Sequence, residues 1–237
     1  MFKLLLAFIF CLGVGYYGHK KRIIDVSGLI ASLLIGVIIL VSLPLIWFFP
    51  LLALFVIGGF TAKYKWAYKK KYGVAEKKKG RSASNILGNG LVPLISAVLF
   101  YFFNKEFLLY AYICSIATAC ADSVATEIGQ LSRNRPVLIT NFKPARTGTD
   151  GAVSLLGEIS ALLASVSIAI IPFVFFGFFG NWNLKLFFIS VVAGFVGCQF
   201  DSLIGATLER RIGSNHVTNF LATLSGALVG ICLWLVF

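Results

Sequence analysis

Long apolar stretches separated by short polar connections recur along the whole chain and predict helices that cross a membrane. The runs cover roughly 2–18, 27–43, 45–62, 87–103, 107–129, 152–178, 186–208 and 218–237. Most are close to the ~20 residues needed to traverse a hydrocarbon core of ~30 Å. The expected architecture is all-α: a polytopic transmembrane helix bundle of about eight spans forming one integral membrane domain over 1–237. Only Leu43-Pro44-Leu45 divides the second run from the third, so these two also read as one broken helix. The first run reads as an anchor and not a cleaved signal peptide, since it lacks a clear small-x-small cleavage site.

Charge then orients the spans. The connections after runs 1, 3, 5 and 7 hold eighteen of the 21 Lys and Arg residues; only Lys3, Lys105 and Lys185 fall on the other side. Basic residues are retained in the cytoplasm, which predicts both termini outside and a cytoplasmic basic connection over 63–86. The net charge of +12 is therefore mainly a topology signal, with some attraction of the Lys-rich connection to anionic membrane lipids. Nucleic acid is not an expected partner, because the basic residues are dispersed around spans without a binding fold. Composition agrees: 59% hydrophobic and 13% charged, against about 25% charged in soluble domains.

With that orientation, the unusual polar residues collect at one depth. Asp122, Glu127, Asp201 and Glu209 fall in or beyond the cytoplasmic halves of runs 5 and 7, while Asn89, Ser154, Glu158 and Asn219 fall near the cytoplasmic starts of runs 4, 6 and 8. An acidic residue inside a span costs roughly 2.5–3.5 kcal/mol on insertion scales and marks a site by default. Ala121-Asp122-Ser123 and Phe200-Asp201-Ser202 are near-copies on runs of the same direction, so they read as parallel Asp-Ser helix pseudo-repeats facing one another. Asp122 and Thr126 share a helix face, as do Ser123 and Glu127. Two carboxylates can hold Mg²⁺, which keeps several waters and takes phosphate oxygens as further ligands. The plainer alternative is two buried Asp residues hydrogen-bonded to neighbouring helices.

Two basic connections complement the acids. Lys143 and Arg146 precede Thr147-Gly148-Thr149-Asp150-Gly151, which leads into run 6, and two glycines allow backbone N–H groups to wrap an anion at a helix start. The segment 130–151 is thus a candidate cytoplasmic phosphate-binding loop, although the same residues also make a good turn; Walker A spacing is absent. Arg81, Asn85, Asn89 and Gly90 lead into run 4, where either Asn89 and Gly90 expose N–H groups to an anion or Asn85 or Asn89 caps the helix. The triplets Lys69-Lys70-Lys71 and Lys77-Lys78-Lys79 read as a solvated loop. The five cysteines read as small apolar packing residues, and His19 and His216 as solvated or headgroup-facing loop residues.

Taken together, Ala121 to Gly129, Pro136-Val-Leu-Ile, Lys143-x-x-Arg-x-Gly-Thr-x-Gly-x-Val-Ser154, Asp201-Ser-x-x-Gly-Ala-Thr and Thr218-Asn219-Phe220 resemble the integral-membrane family that includes the plant phytyl-phosphate kinases. Arg81 through Gly90 is similar to the same family's Arg…Asn-Gly element. The resemblance implies phosphoryl transfer from a nucleotide, with CTP the expected donor, to an isoprenyl monophosphate of phytyl or geranylgeranyl type. In that chemistry Asp122, Asp201 and Glu127 would serve as metal ligands for Mg²⁺, or Glu127 would orient a metal water or a basic residue. Lys143 and Arg146 would be catalytic clamps. Arg81, Asn85, Asn89, Ser123, Thr147, Gly148, Thr149, Gly151, Ser154, Glu158, Ser202 and Asn219 would bind substrate or nucleotide. Ala125 and Glu209 depart from that family's usual residues. A cytidylyltransferase making a CDP-lipid uses the same groups, and a lipid or ion transporter also uses intramembrane acids; a transporter needs polar residues toward both faces.

Overall fold

The computed structural model describes residues 2–75, 80–209 and 214–237. Nine α-helices follow in chain order among them: α1 (Phe2–Lys20), α2 (Val26–Ser42), α3 (Phe48–Lys63), α4 (Trp66–Lys71), α5 (Ala83–Phe103), α6 (Phe107–Gly129), α7 (Leu155–Phe178), α8 (Leu184–Ile204) and α9 (Asn215–Val236). Six helices are long and apolar enough to span a membrane, and α1 and α2 are shorter apolar helices. At 1.5 Å per residue, the 17 residues of α2 reach about 26 Å, slightly short of a ~30 Å core. The protein is thus an all-α integral membrane bundle.

The uncertain boundary between the second and third runs is a real chain reversal. Leu43 is extended (φ −121°, ψ 157°), as a residue before proline prefers, and a 3₁₀ turn over Leu45–Trp47 starts the return. Both the start of α2 and the end of α3 lie beside residues 23 and 81: Gly28 packs on the Arg81 carbonyl, Gly59 on Ile23 and Gly58 on the Arg81 guanidinium. They are two antiparallel helices and not one broken one.

Helix α6 is the centre of the bundle. Its most apolar window is 83% buried, against 28–44% for the other five long spans. The cause is its composition from Cys114 to Ala121, where small residues on every face admit neighbours closely. Thr118 sits against Gly197 of α8 and Gly226 of α9, and Cys114 against Gly230. Without a hydrophobic force between helices in lipid, such close backbone approach supplies the packing energy. Large apolar side chains such as Leu34, Phe60, Phe102 and Leu163 point outward.

Cross-helix contacts also fix directions. Cys114 and Ile189 meet at 3.9 Å, Ala117 packs on Gly194, and Thr118 on Gly197, so α6 and α8 run parallel. Glu158 with Gln199, and Ser165 with Gly194, make α7 antiparallel to α8. Gly88 against His216 and Asn219 brings the starts of α5 and α9 together. The ends bearing the basic connections therefore lie together, and this face is called the basic end below.

Several boundaries differ from expectation. α5 begins at Ala83, so Asn89 and Gly90 lie inside the helix and neither caps it nor offers a free helix-start N–H; Ser82 is the cap residue. The early start follows from Arg81, whose backbone is tied to Ile23 and Asp25 by hydrogen bonds of 2.9 and 3.0 Å. α7 starts at Leu155, because Ala152–Val153 (β2) pairs antiparallel with Val137–Leu138 (β1). His19 and His216 lie in terminal helical turns. Cys11, Cys114, Cys120 and Cys198 are buried, as packing residues should be, whereas Cys232 is exposed. The expectations for Lys77-Lys78-Lys79, Arg210, Arg211 and the Glu209 side chain fall outside the described side chains.

Candidate functional site

The parallel seam between α6 and α8 aligns two acids. Thr118 faces Gly197, and four residues further along each helix Asp122 faces Asp201, close enough for the two carboxyl groups to interact. One helical turn preserves the facing, so the pairing follows directly from the seam above it. Thr126 lies on the same face of α6, as the shared-face reading predicts, and its hydroxyl and the positive charge of Arg81 both act on the Asp122 carboxyl. Two carboxyl groups this close need a proton or a cation between them, because two adjacent negative charges repel.

Arg81 acts on Asp122 by its charge from the side of α3. Its guanidinium lies over Gly58 of α3, with a nitrogen 3.0 Å from where a Cβ would stand. Gly58 thus leaves the space that the arginine occupies. Asn85 and Asn89 follow one and two turns later on α5, and the Asn89 amide donates to the Asn85 carbonyl at 3.2 Å.

Glu127 does something else. It forms a buried ion pair with Lys69, whose ammonium also donates to the carbonyls of Thr61 and Ala62, both at 2.9 Å. Those carbonyls stand at the end of α3 where the helix no longer supplies partners. Of the roles expected of Glu127 (metal ligand, or orienting a metal water or a basic residue), the ion pair with Lys69 accords with the last. Among the described residues no group of three or more His, Cys, Asp or Glu side chains is placed to hold a metal ion. The reading of Lys69 as part of a solvated triplet is corrected: Lys69 is fully buried, while Lys70 and Lys71 are exposed. Its signal in the sequence was indirect, since a lone interior acid at Glu127 requires a cation from a neighbouring connection.

The loop between α6 and α7 is a folded hairpin at the same end. Gly151 (φ +72°) packs against the Ser202 carbonyl and Ala206, and Gly148 (φ +84°) against Val74. Both glycines occupy left-handed backbone that favours glycine. Ala206 belongs to a π-helical turn over Gly205–Glu209, which continues α8. The loop therefore sits on the end of the acid-bearing helix, although it does not open directly into the first turn of α7 as expected. Ser154 occupies that junction, accepting from Gly157 N–H at 3.2 Å and donating to the Gly129 carbonyl at 3.3 Å.

The predicted residues thus separate into groups. Asp122, Asp201 and Arg81 come together with Thr126; Gly151 and Ser202 join loop to helix; Glu158 is bound by Gln199 at 2.7 Å. Ser123 is buried in α6, and Asn219 packs at Gly88. Lys143, Arg146 and Thr147 are exposed on the hairpin, with Thr149 half-buried. Neither Lys69 nor Gln199 was singled out from sequence.

Residues 9–228 match the family described as integral membrane protein DUF92. The chain belongs to this family. Its relatives include the uncharacterized membrane protein MJ0933 of Methanocaldococcus jannaschii, 33% identical over 91% of this chain and 87% of the relative. Protein VTE6, chloroplastic, of Arabidopsis thaliana is 30% identical over 88% of this chain and 64% of its own length. Protein PGR of the same plant is 28% identical over 88% and 80%. No solved structure matches this DUF92 chain.

Proposed function

We propose that this protein is a membrane-embedded prenyl-phosphate kinase that transfers a phosphoryl group from a nucleotide, CTP by preference, to a phytyl- or geranylgeranyl-type monophosphate. The observation that carries the reading is the Asp122–Asp201 contact beside Arg81 at the basic end of two parallel spans. Phosphoryl transfer asks a protein for in-line placement and cancellation of charge more than for covalent participation. An acid pair, a guanidinium and a basic hairpin meet that demand.

Asp122 and Asp201, supplied by the parallel Asp-Ser pseudo-repeats, would hold Mg²⁺, with the Thr126 hydroxyl beside them; an all-oxygen donor set fits this hard cation. Bound there, Mg²⁺ neutralises phosphate charge. Arg81 draws the acceptor phosphate toward the pair. Lys143 and Arg146, exposed to water on the hairpin, receive the nucleotide phosphates and stabilise charge in the transition state. A monophosphate is already an anionic nucleophile near neutral pH, so no strong general base is required. Lys69 satisfies Glu127 and holds α4 against the ends of α3 and α6. The positive-inside pattern puts this end in the cytoplasm, with both termini outside.

The test is purified protein in detergent with prenyl monophosphates and labelled nucleotides. A prenyl diphosphate plus nucleoside diphosphate is expected; a CDP-lipid plus pyrophosphate assigns the protein to cytidylyl transfer instead. Asp122→Asn and Asp201→Asn should each nearly abolish turnover, and the double variant should lose little more, because the two act as one unit. Moderate additive losses, or full activity in EDTA, would overturn the metal assignment. Lys143→Ala or Arg146→Ala should lower kcat/KM by about 10²–10³. Lys at position 146 should rescue only partly, lacking the planar fork.

A further inference from the structure

A cleft opens in the half of the bundle away from α8. α2 packs on α1 and α5, α3 packs on α6, and the two scarcely touch each other. The space left between them is a cavity of about 100 Å³. Its walls are apolar along Val14, Ile35, Phe48, Leu52 and Phe55, and its end toward the basic face is polar, carrying Arg81, Asn85 and Asn89. From Gly59 down to Phe48, both of which line it, α3 descends about 16 Å, roughly half of a ~30 Å hydrocarbon core.

This is an amphipathic site with a direction. Arg81 belongs both to the polar end of the cleft and to the surroundings of Asp122. An anionic head held at Arg81 is therefore within electrostatic reach of the acid pair, with its apolar part in the cleft. Arginine presents five donors in a fork suited to phosphate, and the asparagine amides add further N–H groups, one of those on Asn89 already given to the Asn85 carbonyl. By the ~10–15 Å³ that one water-sized group needs, the cavity takes roughly seven to ten such groups at most, room for part of one twenty-carbon chain and not for two chains. The outward faces of the same helices, such as Ile30, Leu34 and Ile38 of α2, are apolar without such an end.

We infer that this cleft holds the single hydrocarbon chain of the monophosphate acceptor, with its phosphate at Arg81, Asn85 and Asn89. The inference rests on the kinase reading for the acceptor's identity, and it assigns the chain to a place inside the protein and not to the surrounding lipid. Ser32 gives a clean way to test it. Its Oγ is buried without a hydrogen-bond partner and the residue lines the cleft. Ser32→Leu removes an unsatisfied hydroxyl and fills space, so the fold should keep or gain thermal stability while the chain loses room.

The probe is a twenty-carbon prenyl monophosphate carrying a diazirine near the end of its tail. Its adducts should map to peptides bearing Val14 or Leu51–Phe55, should be competed by unlabelled compound, and should fall several-fold in Ser32→Leu at unchanged or raised Tm. KM for the twenty-carbon acceptor should rise about tenfold in that variant, as losing roughly two buried methylenes does, while a five-carbon monophosphate is unaffected. Adducts spread over Ile30, Leu34 and Ile38, or labelling untouched by Ser32→Leu, would overturn the cleft and leave the kinase reading to its product test. Cleft labelling without any diphosphate product would support the cleft while sinking the kinase reading.

Discussion

The two halves of this bundle bury their helices by different means. Around α6, helices α7, α8 and α9 close on glycine, alanine, serine and threonine, with Thr118 wedged between Gly197 and Gly226 and Ser165 against Gly194. In the half built from α1, α2, α3 and α5, larger side chains meet, α2 and α3 splay, and a cleft remains. Close packing of small residues leaves no room to adjust and so holds two carboxyl groups in register. Loose packing of branched and aromatic residues sets no such register but admits a guest. One half is suited to positioning, the other to accommodation, and Arg81 is the residue common to both.

The seam between the halves should give the largest stability effect. Lys69→Ala leaves the Glu127 carboxylate buried without its cation, which should cost about 3–5 kcal/mol, read as a large fall in Tm in detergent. Replacing both partners, Lys69→Met with Glu127→Leu, should restore most of the loss; failure to do so would show that the pair is more than a seam contact.

Adding volume then compares the halves directly. Gly226→Val places a Cβ 1.9 Å from the Thr118 Oγ1, so the dense half should lose about 1–3 kcal/mol. Helix α2 provides an intermediate case at the mouth of the loose half. Asp25 caps it, accepting from Gly28 N–H at 2.8 Å, and Asp25→Ala should cost about 1 kcal/mol. The Ser27 hydroxyl, and then the Gly28 N–H, hold the Asp25 carboxyl below the usual carboxylate range. Its stabilisation is therefore complete above the unfolded value of about 3.9 and is lost as pH falls through the lower folded value. Tm measured against pH should show a shallower acid decline in Asp25→Ala. The smallest effect belongs to Val14→Ile, whose extra methylene enters the cleft and should change stability by no more than about 0.5 kcal/mol. A loss there as large as at Gly226 would erase the contrast.

Much of this organisation was legible in the chain. The 107–129 run coincides with α6, because its apolar length and its polar borders are both local properties. The collection of polar groups at one end followed from alternating direction plus positions, and Asp122 and Asp201 do meet. Burial of Lys69 was not legible, since nothing in a run of three lysines tells which one reaches into the bundle. The earlier start of α5 was hidden for a related reason: Arg81 is held by residues from a remote connection. The cleft was also invisible, because hydropathy records that α2 and α3 are apolar and not whether they touch.

That remote connection bears on biogenesis. The main chain at Ile23–Asp25 bridges to Arg81 as a short parallel ladder, and Ser27 Oγ accepts from Ala83 N–H at 3.0 Å. At ~5–20 residues per second of synthesis, Arg81 leaves the ribosome several seconds after Ile24. The first three helices are therefore synthesised before the bridge between the first connection and residue 81 can form.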